Sequence, residues 1–193
     1  MKASMLRYTT FDTPWGCFGL ACVGERVCRT VLPVPDGAMV RTALLAGLER
    51  RALHDAVFEK GLARGLQQRI VAYFEGENTD FSTDPAVNLD SLGPFTRALL
   101  TACRQIPAGR TQTYAALARS IGRPHGARAA GNALAANPIP LIVPCHRVLR
   151  TDGGLGGFSA LGGTAVKQRM LLHERSCRFS GERAESCGQL WAH

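Results

Sequence analysis

Cys145 and His146 stand side by side in Asn137-Pro138-Ile139-Pro140-Leu141-Ile142-Val143-Pro144-Cys145-His146-Arg147-Val148, a stretch interrupted by three prolines. Each proline fixes its own φ and restricts the residue before it, so the thiol is carried on a conformationally narrow segment. A thiol becomes a useful nucleophile as the thiolate, and an adjacent base is the usual activator. In an extended strand neighbouring side chains point to opposite faces, so a Cys145–His146 relay requires a turn at residues 144–147. The imidazole then needs a third group to orient it, ideally a carboxylate. The acids that follow are Asp152, Glu174, Glu182 and Glu185.

The surroundings are basic. Between Ser91 and Thr151 there are eight arginines (97, 104, 110, 119, 123, 128, 147, 150) and no Asp or Glu, and the remainder of the chain is charge-balanced. The whole excess of +8 therefore sits beside the Cys-His pair, a footprint of a polyanion partner, most often nucleic acid. The helix expected after Pro124 reads Gly126-Ala127-Arg128-Ala129-Ala130-Gly131-Asn132-Ala133. It lacks the long polar side chains that read bases in a major groove. Its small residues suit close approach to a narrow minor groove, with Arg128 entering the base stack, or equally a tight packing inside the protein.

The elements that must carry these groups follow from periodicity and breakers. Strands are predicted over 7–11, 17–23 and 27–32, with turns at 13–16 and 24–25. A helix capped by Asp36 is predicted over 38–53 and another over 62–74. Residues 80–92 read as a linker. Helices follow over 95–106, 113–121, from Pro124 to 136, and 164–174, with Gly122-Arg123-Pro124 joining a helix-turn-helix pair. The expected fold is an α+β N-terminal domain with a small antiparallel sheet (1–90). A mainly α C-terminal domain with a winged-helix-like helix-turn-helix follows (91–175), then a flexible tail (176–193). With 46% hydrophobic and 20% charged residues, composition is that of an ordinary soluble globular protein. No apolar run approaches a membrane span and the N-terminus lacks a signal-peptide stretch, so no membrane partner and a cytoplasmic (intracellular) location are expected, nuclear in a eukaryote. Seven cysteines at 17, 22, 28, 103, 145, 177 and 187 show no disulfide-scaffold spacing. Cys17, Cys22 and Cys28 lack a C-x2-C pair and a nearby histidine, so no metal is expected.

Gly109-Arg110-Thr111-Gln112-Thr113-Tyr114-Ala115-Ala116-Leu117-Ala118, Arg128-Ala129-Ala130-Gly131-Asn132-Ala133, Asn137-Pro138 and Pro144-Cys145-His146-Arg147-Val148 occur in that order. Together, over residues 93–174, they resemble the C-terminal domain of the O6-alkylguanine-DNA alkyltransferases, the methylated-DNA–protein-cysteine methyltransferases. Thr13-Pro14-x-Gly16 and Tyr73-Phe74-Glu75-Gly76 resemble their variable N-terminal domain more loosely.

The resemblance implies a suicidal DNA repair protein without a cofactor. It flips O6-alkylguanine from double-stranded DNA, bound through the minor groove, and moves the alkyl group irreversibly to Cys145. It also implies His146 as the base, acting through a water, and selects Glu174 as the orienting carboxylate. Asn137 then shapes the active-site turn. Tyr114 presses on the target phosphate and faces the extruded base, and Arg128 takes that base's place. Ala127, Ala129, Gly131 and Arg147 join the DNA-binding set, Pro140, Val148, Phe158 and Ser159 line the alkyl pocket, and the protein acts as a monomer. Phe158 replaces the family's common Tyr, and the step from it to Lys167 is longer than usual.

Three rivals differ in what they leave unexplained. A catalytically silent relative would carry Trp at the nucleophile position, where this chain has Cys145. A Cys-His hydrolase would leave the arginine-only segment without a role. A plain transcription regulator would make Pro-Cys-His-Arg incidental.

Overall fold

The computed structural model describes residues 5–46 and 56–176. The N-terminal half is a sheet with a helix on each face. Strands β1 (Leu6–Thr13), β2 (Gly16–Val23) and β3 (Arg26–Val34) form an antiparallel meander. Its first turn needs Gly16, whose φ of +120° and contact with the Val34 carbonyl leave no room for a Cβ. Helix α1 (Gly37–Leu45) begins where the Asp36 carboxylate accepts from Ala38 N at 2.8 Å. It buries Val40 and Leu44 against Ala21 and Val31 of one sheet face. It ends at Leu45, short of the predicted 53, and residues 47–53 lie outside the described residues.

A short β4 (Val57–Phe58) then pairs with β1 in parallel, giving the order β3-β2-β1-β4. The sheet is therefore mixed, not antiparallel. The chain crosses over by way of α1 before returning to β1, and such a connection, unlike a hairpin, permits parallel pairing. Helix α2 (Arg64–Glu75), closed by Gly76 at φ +99°, turns Leu66, Ile70, Tyr73 and Phe74 inward.

In the C-terminal half, α3 (Pro94–Arg104) starts on a proline, whose missing N–H is harmless at a first turn. Strand β5 (Gln112–Thr113) leads into α4 (Tyr114–Ser120), with the Thr113 hydroxyl capping Ala116 N at 3.1 Å. Gly122, at φ +75°, stops α4. Pro124 lies in the following turn and does not open the next helix; α5 (Ala127–Ala135) starts at Ala127. Its Ala130, Ala133 and Leu134 pack into the main core, while Arg128, Ala129 and Asn132 stay exposed. After the 3-10 turn Cys145–Arg147 comes β6 (Val148–Leu149), which pairs in parallel with β5. That ladder ties the first turn of α4, and so Tyr114, to the segment leaving Cys145. The last helix, α6 (Gly163–Ser176), includes Arg175 and Ser176, which the sequence reading assigned at or near the tail; residues 177–193 lie outside the described residues.

One core cluster runs through both halves, from Phe18 and Leu20 of the sheet through Tyr73 and Phe74 to Leu99, Leu117, Ile142 and Met170. Among the described residues no helix is long and apolar enough to cross a membrane.

Candidate active site

The segment 137–148 folds around Asn137. Its Oδ1 accepts from Ile139 N at 3.0 Å, and its Nδ2 donates to the Val143 carbonyl at 2.9 Å. The same Nδ2 reaches Cys145 Sγ at 3.2 Å. Leu141, at φ +77°, occupies a left-handed conformation that side chains other than glycine rarely adopt. Pro144, at φ −81° and ψ 63°, forms the tight inverse turn that brings Cys145 N within 2.8 Å of the Val143 carbonyl. The expected turn after Pro144 is thus present, as a single 3-10 turn that points Cys145, His146 and Arg147 all inward.

His146 is fully buried, and its Nε2 lies 2.7 Å from Glu174 Oε1. Facing an ionised carboxylate, Nε2 carries the proton, which leaves the Nδ1 lone pair available; no protein group among the described residues bonds Nδ1. Burial holds the His146 pKa below its ordinary value in spite of Glu174, so the neutral imidazole is the resting form. Burial would raise the Glu174 pKa, but hydrogen bonds from His146 and Arg147 outweigh it and hold the carboxyl well below the usual range.

Arg147 grips this carboxylate. Its Nε lies 3.1 and 3.0 Å from the two oxygens, Nη2 lies 2.8 Å from Oε1, and Nη1 donates to the Ile106 carbonyl at 2.5 Å. The residue is buried. Arg147, expected among the DNA contacts, is thus turned inward by the 3-10 geometry and serves Glu174. Tyr73 Oη at 3.0 Å and Gly109 N at 3.1 Å complete the carboxylate's partners.

Burial pushes the Cys145 thiol pKa up, and the Asn137 N–H and the Lys167 charge pull it back. Lys167 itself has no exposure and donates to the Val148 carbonyl at 2.6 Å and the Leu155 carbonyl at 2.5 Å. Its Nζ stands 3.5 Å from Tyr114 Oη. Burial lowers its pKa to about 8. The Tyr114 phenol, half-buried, has its pKa raised chiefly by burial, so it remains a donor.

A cavity of about 340 Å³ opens onto Cys145, lined also by Asn137, Pro140, Phe158 and Ser159. Three of the four expected pocket residues are therefore in place. Val148 is not: its side chain is fully buried, and its carbonyl accepts from Lys167. The cavity's far wall comes from β3 and α1, through Arg29, Thr30, Val31, Leu32 and Ala43. Strand β3 is an edge strand of the sheet, bridged to Val87 at one end, and it meets the active-site loop directly. Thr30 N donates to the Pro138 carbonyl at 3.0 Å and Thr30 Oγ1 to the Pro140 carbonyl at 2.7 Å.

Arg128 and Ala129 are exposed on α5 and Ala127 and Gly131 half-buried, and a Cβ at Gly131 would lie 3.9 Å from the Tyr114 ring. Arg110, Arg119, Arg123 and Arg128 are exposed without an acidic partner among the described residues, whereas Arg104 is buried on the Phe81 and Pro85 carbonyls. Cys17, Cys22 and Cys28 are free thiols, and no metal-holding group of His, Cys, Asp or Glu occurs among the described residues.

Sequence reasoning missed Tyr73, Thr30 and the part played by Lys167. Lys167 had a signal: Lys167, Met170 and Glu174 share one buried stripe of α6, which places two charged residues on an inward face. Tyr73 read as core, and it is core apart from its hydroxyl.

The sequence profile of the 6-O-methylguanine DNA methyltransferase DNA-binding domain matches residues 94–176. A methylated-DNA–protein-cysteine methyltransferase of Mycolicibacterium paratuberculosis is 37% identical over 172 residues, which span 89% of this chain and 93% of that protein. The crystal structure of the Mycobacterium tuberculosis O6-methylguanine methyltransferase superposes with a TM-score of 0.74 at 32% identity, covering 91% of this chain and 96% of that one. A structure of the same mycobacterial protein in complex with DNA superposes at 0.72 and 32% identity, over 88% and 93% of the two chains. An alignment of that identity along nearly the whole of a relative places this chain in the methylated-DNA–protein-cysteine methyltransferase family.

Proposed function

We propose that this protein removes alkyl groups from O6 of guanine in double-stranded DNA by transferring them, once and irreversibly, to its own Cys145. The observation that carries the reading is Cys145 at the wall of a cavity, its Sγ 3.2 Å from Asn137 Nδ2, with the buried His146–Glu174 pair beginning at the next residue. His146, neutral and oriented through Nε2, takes the thiol proton on Nδ1, through a water as in the family. The Asn137 N–H and the Lys167 charge stabilise the thiolate. Sulfur attacks the alkyl carbon as the carbon–O6 bond breaks, and the guanine leaves with the electron pair. The Tyr114 phenol offsets charge on that leaving group by donating a proton or hydrogen bond. A thioether has no good leaving group, so water does not restore the thiol and each molecule acts once.

Duplex DNA reaches the site by flipping the target base. Helices α4 and α5 act as a helix-turn-helix whose second member sits in the minor groove, a geometry supported by its small exposed residues and by Arg128, which replaces the flipped base. Arg110, Arg119 and Arg123 supply phosphate contacts on the same half. The division at 90/91 separates this alkyl-transfer unit from an N-terminal unit that braces it, and the protein works as an intracellular monomer.

The test is incubation with duplex DNA carrying O6-methylguanine, followed by the mass of the Cys145 peptide. One added methyl, guanine restored in the DNA and no second turnover are expected. An unmodified Cys145 peptide alongside repaired DNA would refute the reading. Arg128→Ala should slow repair of the duplex lesion far more than reaction with free O6-alkylguanine, since only the former requires flipping.

A further inference from the structure

Arg29 lies on β3 beside Thr30, the residue that fastens the sheet edge to the Cys145 loop. Its Nε is buried yet has no hydrogen-bond partner, and the residue lines the same cavity as Cys145. Among the described residues no other charged residue and no carboxylate lines that cavity. A buried guanidinium N–H without an acceptor is unfavourable, and a planar guanidinium pairs best with a carboxylate or phosphate. The rest of the lining among the described residues is apolar or neutral, its side-chain polar groups being those of Thr30, Asn137, Cys145 and Ser159. The cavity therefore has a nucleophilic sulfur and a guanidinium with an unpartnered Nε–H in one lining.

We infer that Arg29 is a specificity-determining residue for O6-alkyl groups that end in an anion, with carboxyalkyl adducts as the substrate class. The inference rests on Cys145 being the alkyl acceptor. The chemistry at sulfur is unchanged. The sulfur–carbon bond forms as the carbon–O6 bond breaks, guanine keeps the electron pair, and the carboxylate remains on the transferred carbon beside Arg29. The product on Cys145 is then a carboxyalkyl thioether.

The test uses three duplexes carrying O6-methylguanine, O6-carboxymethylguanine or O6-propylguanine, the last a neutral group of similar size. Single-turnover rates are measured for the full-length wild type, Arg29→Gln and Arg29→Lys, with the adduct on Cys145 verified by mass. A charge-assisted hydrogen bond lost from the transition state should lower the carboxymethyl-to-propyl rate ratio by about tenfold or more in Arg29→Gln. Arg29→Lys, which keeps the charge, should retain most of the ratio. An unchanged ratio in Arg29→Gln would overturn the assignment, whether both rates hold or both fall together. The second pattern is what a phosphate contact or a folding defect gives. A wild type that accepts methyl and propyl but not carboxymethyl would overturn it too. If the wild type placed no methyl on Cys145 at all, the acceptor reading itself would have failed, and the methyl arm identifies that failure separately.

Discussion

Tyr73 donates its phenolic O–H to Glu174 Oε1 at 3.0 Å, joining residues 101 positions apart and belonging to opposite halves of the chain. The same carboxylate oxygen faces His146 Nε2. The N-terminal half, which contributes no reacting group, thus touches the base through one intermediary. It also contacts α6 through Trp15, which stacks under Arg169 at 3.7 Å and against His173, and through the Tyr73 carbonyl, which lies 2.6 Å from His173 Nε2. These contacts pin α6 where it presents Glu174.

Tyr73→Phe removes one of several partners of Glu174 and leaves the ring in the core. The buried carboxylate keeps His146, Arg147 and Gly109, so the loss is that of one hydrogen bond to a charged group, about 1.5–3 kcal/mol of stability. The methyl-transfer rate should fall by no more than about tenfold, because the imidazole keeps its tautomer. Chemical denaturation and single-turnover kinetics on the same variant test both halves; a rate loss as deep as that of a missing base would assign Tyr73 a larger part.

Glu174→Gln is expected to do two separable things. It leaves the buried Arg147 guanidinium without its counter-charge, costing about 3–5 kcal/mol. It also deprives His146 of the charge that supports it as a base, slowing transfer by about a hundredfold or more. Adding Arg147→Met removes the orphaned charge, so the double variant should recover much of its melting temperature and remain slow. Recovery of both together would show that Glu174 acts only through stability.

The pH profile follows from His146. Because burial lowers its folded-state pKa below the ordinary value, the folded protein binds fewer protons than the unfolded chain between that lowered value and about 6.5. Stability therefore rises with pH through this window and is fully present above it. The base is likewise neutral, and competent, across the same window. Single-turnover methyl transfer should keep its rate as pH falls through about 6.5 and lose it only below, on an acid limb displaced from that of a free imidazole. A limb centred at the ordinary histidine value would contradict a buried, neutral His146.

Cys145 and His146 were legible in the sequence because prolines and a Cys-His pair act locally, over a dozen residues, whereas the residues alone left four acids open and only the family resemblance selected Glu174 and gave Asn137 its part. The meander was legible for the same reason, with Gly16 and Gly24 at its turns. What escaped was set by tertiary contact. Arg147 looked like its exposed neighbours in a run of arginines, and only the inward 3-10 turn separates it from Arg128. Val57–Phe58 is too short to show alternation, yet it makes the sheet mixed. Thr30 and Tyr73 are ordinary strand and core residues until the second half is placed against them. No local pattern encodes a hydrogen bond to a partner a hundred residues away.

Gly156→Ala tests the placing of Tyr114. Gly156 adopts φ +67°, and a Cβ there would stand 2.7 Å from Tyr114 Oη and 2.9 Å from its ring. The new methyl strains the backbone and must displace either the phenol or the loop, and Lys167 Nζ stands 3.5 Å from that phenol. The expected outcome is a loss of about 1–2 kcal/mol in stability, in line with backbone strain at a positive φ. The rate of transfer from duplex O6-methylguanine should fall by about tenfold or more, since the donor facing the leaving base is misplaced. Free O6-methylguanine, which needs no flipping but still needs that donor, should be affected to a similar degree. A variant slowed only on duplex DNA would shift the role of Tyr114 from leaving-group donor to base extrusion alone.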